Sequence, residues 1–196
     1  MKRIKKGKLF VISAPSGAGK TTIANTVIEK LGLFYPISKV ITYTSRQPRN
    51  NETQGRDYCF VSKDDFFKKK ERGFFLETTE YNGEWYGSPQ SMIDDLEKGL
   101  SFIIITDIVG AKTISNRMTG AVLIWLAPPS AEVLRNRLLQ RGTENRAQVD
   151  ARIALSQDEM NQERRENFFH YRVINDSFNV AAKELCEIIK TEIEKG

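Results

Sequence analysis

Ala14-Pro15-Ser16-Gly17-Ala18-Gly19-Lys20-Thr21 follows the spacing G-x-x-x-x-G-K-[ST], with Ala14 in place of the first Gly. Small residues at this spacing let successive backbone N–H groups converge on phosphate oxygens at the start of a helix, and Gly17 and Gly19 supply the conformational freedom. Lys20 would then set its ammonium between the β- and γ-phosphates, where charge accumulates during transfer, and the Thr21 hydroxyl would coordinate Mg²⁺. Thr22 completes the segment assigned to the nucleotide. A Gly-rich turn with a solvent-facing Lys is the plainer alternative. The apolar run before the loop and the helix-like spacing after it are the context a phosphate loop needs.

A second constellation lies downstream. Thr42-Tyr43-Thr44-Ser45-Arg46-Gln47-Pro48-Arg49, then Glu52, Gly55, Arg56-Asp57-Tyr58 and Phe60-Val61, resembles the GMP-binding signature of the guanylate kinase family. Phe74-Phe75-Leu76-Glu77, Tyr86-Gly87-Ser88, Pro128-Pro129-Ser130, Arg137-Leu138, Arg141-Gly142-Thr143-Glu144, Arg152 and Val173-Ile174-Asn175-Asp176 also fall where that family's motifs fall. The resemblance implies transfer of the γ-phosphoryl group of ATP to GMP, and to dGMP, with Mg²⁺. It implies that Arg46, Arg49, Tyr58 and Tyr86 hold the acceptor phosphate. Guanidinium forks bind phosphate oxygens bidentately, and phenolic hydroxyls add neutral donors.

By the same resemblance Glu77, Thr42 and Ser88 read guanine, whose edge offers two N–H donors beside a carbonyl. Adenine presents an acceptor where guanine has a donor, so a carboxylate there disfavours AMP. Arg137, with Asn175, is implied near the ATP base, and Arg141 and Arg152 over the phosphates. Lys20, Arg46, Arg141 and Arg152 form the expected catalytic set, and the anionic acceptor needs no general base. One stretch departs from the family. Ile105-Thr106-Asp107-Ile108-Val109-Gly110 lacks an acid at Ile105 and a Gln at Val109, so looser base selectivity is expected. Asp107 faces guanine, faces a water on Mg²⁺, or caps the strand end.

The elements that must position these residues are legible in outline. Leu9 to Ile12, Phe102 to Ile105 and Ala121 to Ala127 are apolar runs of strand length. They alternate with amphipathic stretches at Thr21 to Leu31, Ser91 to Lys98 and Ala131 to Gln140, a rhythm that implies a parallel sheet. Residues 36–89 break it, with strand-like pieces at Lys39 to Thr44 and Tyr58 to Val61. Pro128 to Glu166 is helical in pattern and heavy in Arg, with a break at Arg141-Gly142-Thr143. A strand at Tyr171 to Ile174 and a final helix close the chain. The expected fold is α/β: a P-loop three-layer core with a parallel sheet flanked by helices (1–35, 90–127, 167–196), a mixed GMP-binding insertion (36–89) and a helical lid (128–166).

Composition narrows the partners. The chain has 196 residues, 40% hydrophobic and 28% charged, which suits a globular fold rather than a disordered one. The net charge of +5 suits polyanions, but no motif that reads RNA or DNA accompanies it. No apolar run is long enough for a membrane span, and Met1 to Lys8 lacks the apolar stretch of a secretory signal, so the expected location is the cytoplasm. Cys59 and Cys186 fit free thiols rather than a disulfide or zinc site, and His170, among aromatics, fits packing rather than catalysis. The expected partners are ATP and GMP or dGMP, without nucleic acid or membrane, in a monomer or homodimer. Two other readings compete with this one: an interaction module on the same fold, and a kinase for another phosphorylated small molecule. Lys20, Thr21, Arg141 and Arg152 argue against the first, and Glu77 with Thr42 and Ser88 against the second.

Overall fold

The computed structural model describes residues 5–140 and 146–195. Its framework is a five-stranded parallel sheet of β1 (Leu9–Ser13), β2 (Ile37–Lys39), β7 (Ser101–Thr106), β8 (Val122–Ala127) and β9 (Tyr171–Ile174), in the order β2-β7-β1-β8-β9. β1 is central and buried along its whole length, which is why it reads as an unbroken apolar run rather than an alternating one. Phe10 and Ile12 face one core, with Ile23 and Val27 of α1 (Lys20–Leu31) and Leu185 and Ile189 of α7 (Phe178–Lys195). Leu9 and Val11 face the other, with Leu96 of α3 (Met92–Glu97), Ile108 and Ile114 of α4 (Ile108–Arg117), Trp125 and Phe169. The expected three-layer arrangement is therefore present.

A second, four-stranded mixed sheet stands beside it, in the order β4-β3-β6-β5, from β3 (Tyr43–Thr44), β4 (Cys59–Phe60), β5 (Phe75–Tyr81) and β6 (Glu84–Pro89). β5 and β6 form a hairpin in which Tyr81 pairs with Glu84, so the turn is Asn82-Gly83. Both turn residues have positive φ, 53° and 75°, the backbone that a two-residue hairpin turn of matching twist demands. α2 (Lys63–Glu71) covers this sheet and stacks Phe66 on Phe75 at 4.7 Å.

The sequence expectation of one strand-like piece from Lys39 to Thr44 is corrected. Lys39 ends β2 in the parallel sheet, where the Val40 N–H still donates to the Ile103 carbonyl at 2.9 Å, and Tyr43–Thr44 belongs to the other sheet. The chain changes sheets between Val40 and Thr42, whose carbonyl already accepts the Cys59 N–H at 2.9 Å. The Arg-rich stretch forms α5 (Ala131–Gln140) and α6 (Arg146–Glu166), held by a small separate core of Leu134, Leu138, Val149 and Ile153. The expected break at Arg141-Gly142-Thr143 lies outside the described residues. His170 is exposed rather than packed in the core, with its Nδ1 accepting the Leu123 N–H at 3.0 Å. Among the described residues Cys59 and Cys186 are free thiols, and no helix is long and apolar enough to cross a membrane.

Candidate active site

The carboxyl end of β1 runs directly into the phosphate loop. Gly17 and Gly19 adopt φ of 88° and 89°. A Cβ on Gly17 would stand 2.9 Å from Leu138, and one on Gly19 2.9 Å from the Asn175 amide, so both positive φ and close packing select glycine here. Ala14 is fully buried, and its carbonyl accepts a hydrogen bond from the Lys20 ammonium, which also reaches the Pro15 carbonyl at 3.4 Å. Asn175, beyond β9, donates from its amide to the Ala18 carbonyl at 2.7 Å, and Arg137 of α5 donates to the Asn175 carbonyl at 2.9 Å. Asn175 and Arg137 thus brace the loop from outside.

One cleft joins this loop to the second sheet. Its lining contains Pro15, Ser16, Gly17, Ala18, Gly19, Lys20, Thr21 and Thr22 at one end, and Thr42, Arg46, Arg49, Tyr58, Glu77 and Tyr86 at the other, with Asp107 and Arg152 between. Four residues assigned from the sequence, Ala14, Ser88, Arg137 and Asn175, stand outside that lining. Arg141 lies outside the described residues.

At the second-sheet end, Arg46 is held in place by Glu52. The guanidinium Nη2 donates to both carboxylate oxygens at 2.9 Å, with the two side chains only 16% and 17% exposed. Arg46 Nε donates to the Tyr86 hydroxyl at 3.3 Å, and the Tyr58 and Phe60 rings lie 5.5 and 5.8 Å from the guanidinium carbon. The same Glu52 accepts the Arg49 N–H at 2.9 Å, so one carboxylate fixes the turn that carries both arginines. Burial raises the Tyr58 phenol, which keeps it a protonated donor.

Glu77 is the most deeply enclosed acid of the cleft, 2% exposed. Its Oε1 accepts the Ser88 hydroxyl at 2.7 Å and the Ser88 N–H at 3.2 Å, while its Oε2 is buried without a hydrogen-bond partner among the described residues. Burial pushes its carboxyl up to about 7; nearby Asp107 adds to this and Ser88 opposes it. Ser88, itself fully buried, therefore meets Glu77 rather than the open cleft. Asp107 caps α4, its Oδ1 accepting the Gly110 N–H at 2.7 Å and its Oδ2 the Thr79 hydroxyl at 2.7 Å, and it lines the cleft as well.

The α6 side of the cleft is formed by Arg152, whose Nε and Nη2 donate to the Ser16 hydroxyl at 3.0 and 2.6 Å. Among the described residues no group of three or more metal-ligating side chains assembles. Thr21, exposed on the first turn of α1 and lining the cleft, is a hard oxygen donor of the kind Mg²⁺ accepts. Such an ion fits here as one carried by nucleotide phosphates rather than by a protein cage. Sequence reasoning did not assign Thr79, Tyr81 and Thr106 to the lining, nor a role to Glu52. For Thr79 and Tyr81 a signal existed, since alternate residues of a strand share a face and Glu77 starts that series.

A guanylate kinase family model matches residues 6–192. The guanylate kinase of Geobacter metallireducens is 36% identical over 193 residues, covering 98% of this chain and 91% of the relative. That of Rubrobacter xylanophilus is 35% identical over 195 residues, covering 98% of each. The crystal structure of guanylate kinase from Anaplasma phagocytophilum superposes with a TM-score of 0.79 at 27% identity, over 96% of this chain and 87% of that one. Matched by the family model over residues 6–192 and by relatives at 35–36% identity over 98% of its length, the chain belongs to the guanylate kinase family.

Proposed function

We propose that this chain transfers the γ-phosphoryl group of ATP to GMP, and also to dGMP, giving ADP and the nucleoside diphosphate by direct in-line displacement. The observation that carries the reading is Glu77: a buried carboxylate with one unpartnered oxygen, in the same cleft as a phosphate loop and an arginine–tyrosine cluster. The loop of Ala14, Pro15, Ser16, Gly17, Ala18, Gly19, Lys20, Thr21 and Thr22 takes the ATP phosphates, with Arg137 and Asn175 bracing it beside the base. Arg46, Arg49, Tyr58 and Tyr86 take the GMP phosphate, and Thr42, Glu77 and Asp107 face guanine, with Ser88 aligning Glu77. Lys20, Arg46, Arg141 and Arg152 neutralise the charge of the transferring group. The Thr21 hydroxyl would help hold a Mg²⁺ ion brought in with ATP, which when bound would supply further charge neutralisation.

The acceptor oxygen is already anionic, so positioning and charge compensation suffice. On this reading residues 1–35, 90–127 and 167–196 form the nucleotide-binding core, 36–89 the GMP-binding part and 128–166 the lid, in a cytoplasmic monomer or homodimer acting on free nucleotides. The test is ADP formation from ATP and Mg²⁺ with GMP, dGMP, AMP, CMP and UMP offered separately. GMP and dGMP turnover with little from the others is expected. Equal turnover of AMP would overturn the role of Glu77.

A further inference from the structure

Tyr81 ends the β5 face that Glu77 and Thr79 begin, and all three line the cleft. It reaches the point where the phosphate loop and α6 meet, close to Ser16, Arg152 and Glu159. Its hydroxyl oxygen is buried there beside the Ser16 hydroxyl, which acts toward it as a donor, and its own proton has no well-formed hydrogen bond among the described residues. On α6, Arg152, Ser156 and Glu159 follow one another at helical spacing and share a face. The first donates to the Ser16 hydroxyl and the second reaches the Ser16 carbonyl at 3.4 Å. Glu159, the third, is 8% exposed, and its Oε2 is likewise buried without a partner among the described residues. A donor and an acceptor are thus left unsatisfied at one junction, on two elements from different parts of the molecule. Each such orphan costs about 1–3 kcal/mol, so pairing them is favourable. Burial, and then the charge that Glu159 carries when ionised, hold the Tyr81 phenol protonated and hence a donor; burial pushes the Glu159 carboxyl itself up to about 7, opposed by the Lys20 ammonium, so Glu159 is the acceptor above that pH.

We propose that Tyr81 and Glu159 are positioning residues for phosphoryl transfer, forming a Tyr81 O–H to Glu159 Oε2 hydrogen bond that latches α6 to the second sheet when both nucleotides are bound. The proposal rests on ATP and GMP being the two ligands. Neither side chain touches the reacting atoms. The latch acts through Ser16 and Arg152, which the same helix face sets on the phosphate loop. Occupancy of one end of the cleft thereby favours occupancy of the other, a coupling free energy between two sites.

The experiment measures GMP affinity by calorimetry with and without a non-hydrolysable ATP analogue, in the wild type, Tyr81→Phe, Glu159→Met, Glu159→Gln and the Tyr81→Phe/Glu159→Met double variant. In the wild type the analogue tightens GMP binding. Tyr81→Phe and Glu159→Met should each cut that gain by about 5- to 10-fold, the range a single coupling contact commands, with a matching fall in kcat. The double variant should lose no more than either single one. Glu159→Gln, whose amide oxygen still accepts, should keep most of the gain, and GMP affinity without the analogue should hold within about 2-fold in every variant. The latch is overturned if the gain survives in the single variants, if the losses multiply in the double variant, if Glu159→Gln is as impaired as Glu159→Met, or if GMP affinity alone falls by the same factor. Wild-type turnover, measured alongside, separates the two ideas. Full coupling in the variants of an enzyme that phosphorylates GMP removes the latch alone, whereas a wild type without GMP turnover removes the substrate reading and the latch with it.

Discussion

The two oxygens of the Glu77 carboxylate differ: one is held by Ser88, and the other is buried without a partner among the described residues. The folded protein keeps its proton to about pH 7, whereas the ordinary value is 4.5. Between those values the folded state binds more protons than the unfolded one, so this group's contribution to stability falls as pH rises through the window and levels off above it. Guanine's two N–H donors favour the ionised form, so GMP affinity should weaken below about pH 7, approaching tenfold per unit. Titrating GMP binding from pH 5.5 to 8.5 in the wild type and Glu77→Gln isolates the effect, because the phosphate of GMP titrates in both. A wild-type profile as shallow as that of the variant would contradict the assignment. Glu52 carries a second expectation. Its loss leaves the half-buried Arg46 without its partner and frees the Arg49 turn, so Glu52→Ala should raise the KM for GMP by about 10- to 100-fold. The KM for ATP, measured in the same assays, should change little. Arg46, Arg49, Tyr58 and Tyr86 were legible from residue chemistry combined with family spacing. Glu52 stood in the same signature but carried no legible role, because a carboxylate that braces an arginine reads in sequence as one more surface charge. The outward task expected of Ser88 likewise could not be corrected without the Glu77–Ser88 contact.

At the scale of elements, legibility followed burial. β1, β7 and β8 lie inside the parallel sheet and announce themselves as apolar runs, and α7 buries Ala181, Leu185 and Ile189 along one face. β4 falls inside the strand-like piece expected at Tyr58 to Val61 and β3 at the end of the one expected from Lys39 to Thr44, but with two residues each they show no period of their own and take their pairing from the second sheet. α2 was not foreseen, since it buries only Phe66 and is otherwise strongly charged. Its signal was the cap: Ser62 accepts the Asp65 N–H at 3.1 Å and donates to the Asp65 carboxylate at 2.8 Å, an arrangement close to a capping box. The hairpin turn Asn82-Gly83 was an equally local signal. Ser62→Ala should therefore cost about 1 kcal/mol, a fall in Tm of roughly 2–4 °C for a chain of this size. Thermal unfolding by circular dichroism checks this. Because α2 touches the second sheet through Phe66 and Phe75 and not the cleft, kcat/KM for ATP and for GMP should stay within about twofold of the wild type.

At the scale of the whole molecule, the phosphate loop and the arginine–tyrosine cluster, carried by two different sheets, line two ends of one cleft. The parallel sheet delivers the phosphate loop from the end of β1, as open α/β sheets do at the carboxyl ends of their strands. The mixed sheet delivers Arg46, Tyr58, Glu77 and Tyr86 from strands and turns that no single stretch of sequence joins. Two ligands that occupy separate ends of one cleft stabilise the fold together, whereas two that compete for one end do not. A ligand present at 100 times its Kd adds about 2.7 kcal/mol to the folded state, which for a chain of this length moves Tm by roughly 5–10 °C. GMP alone and a non-hydrolysable ATP analogue alone should each produce a shift of that size. Together they should produce at least the sum, about 10–20 °C, because the phosphate loop and the arginine–tyrosine end share no lining residue. Arg152 and Asp107, which lie between the two ends, would then meet both ligands at once. A combined shift no larger than the greater single one would mean that both nucleotides occupy the same half of the cleft, and in-line transfer between them would be geometrically impossible.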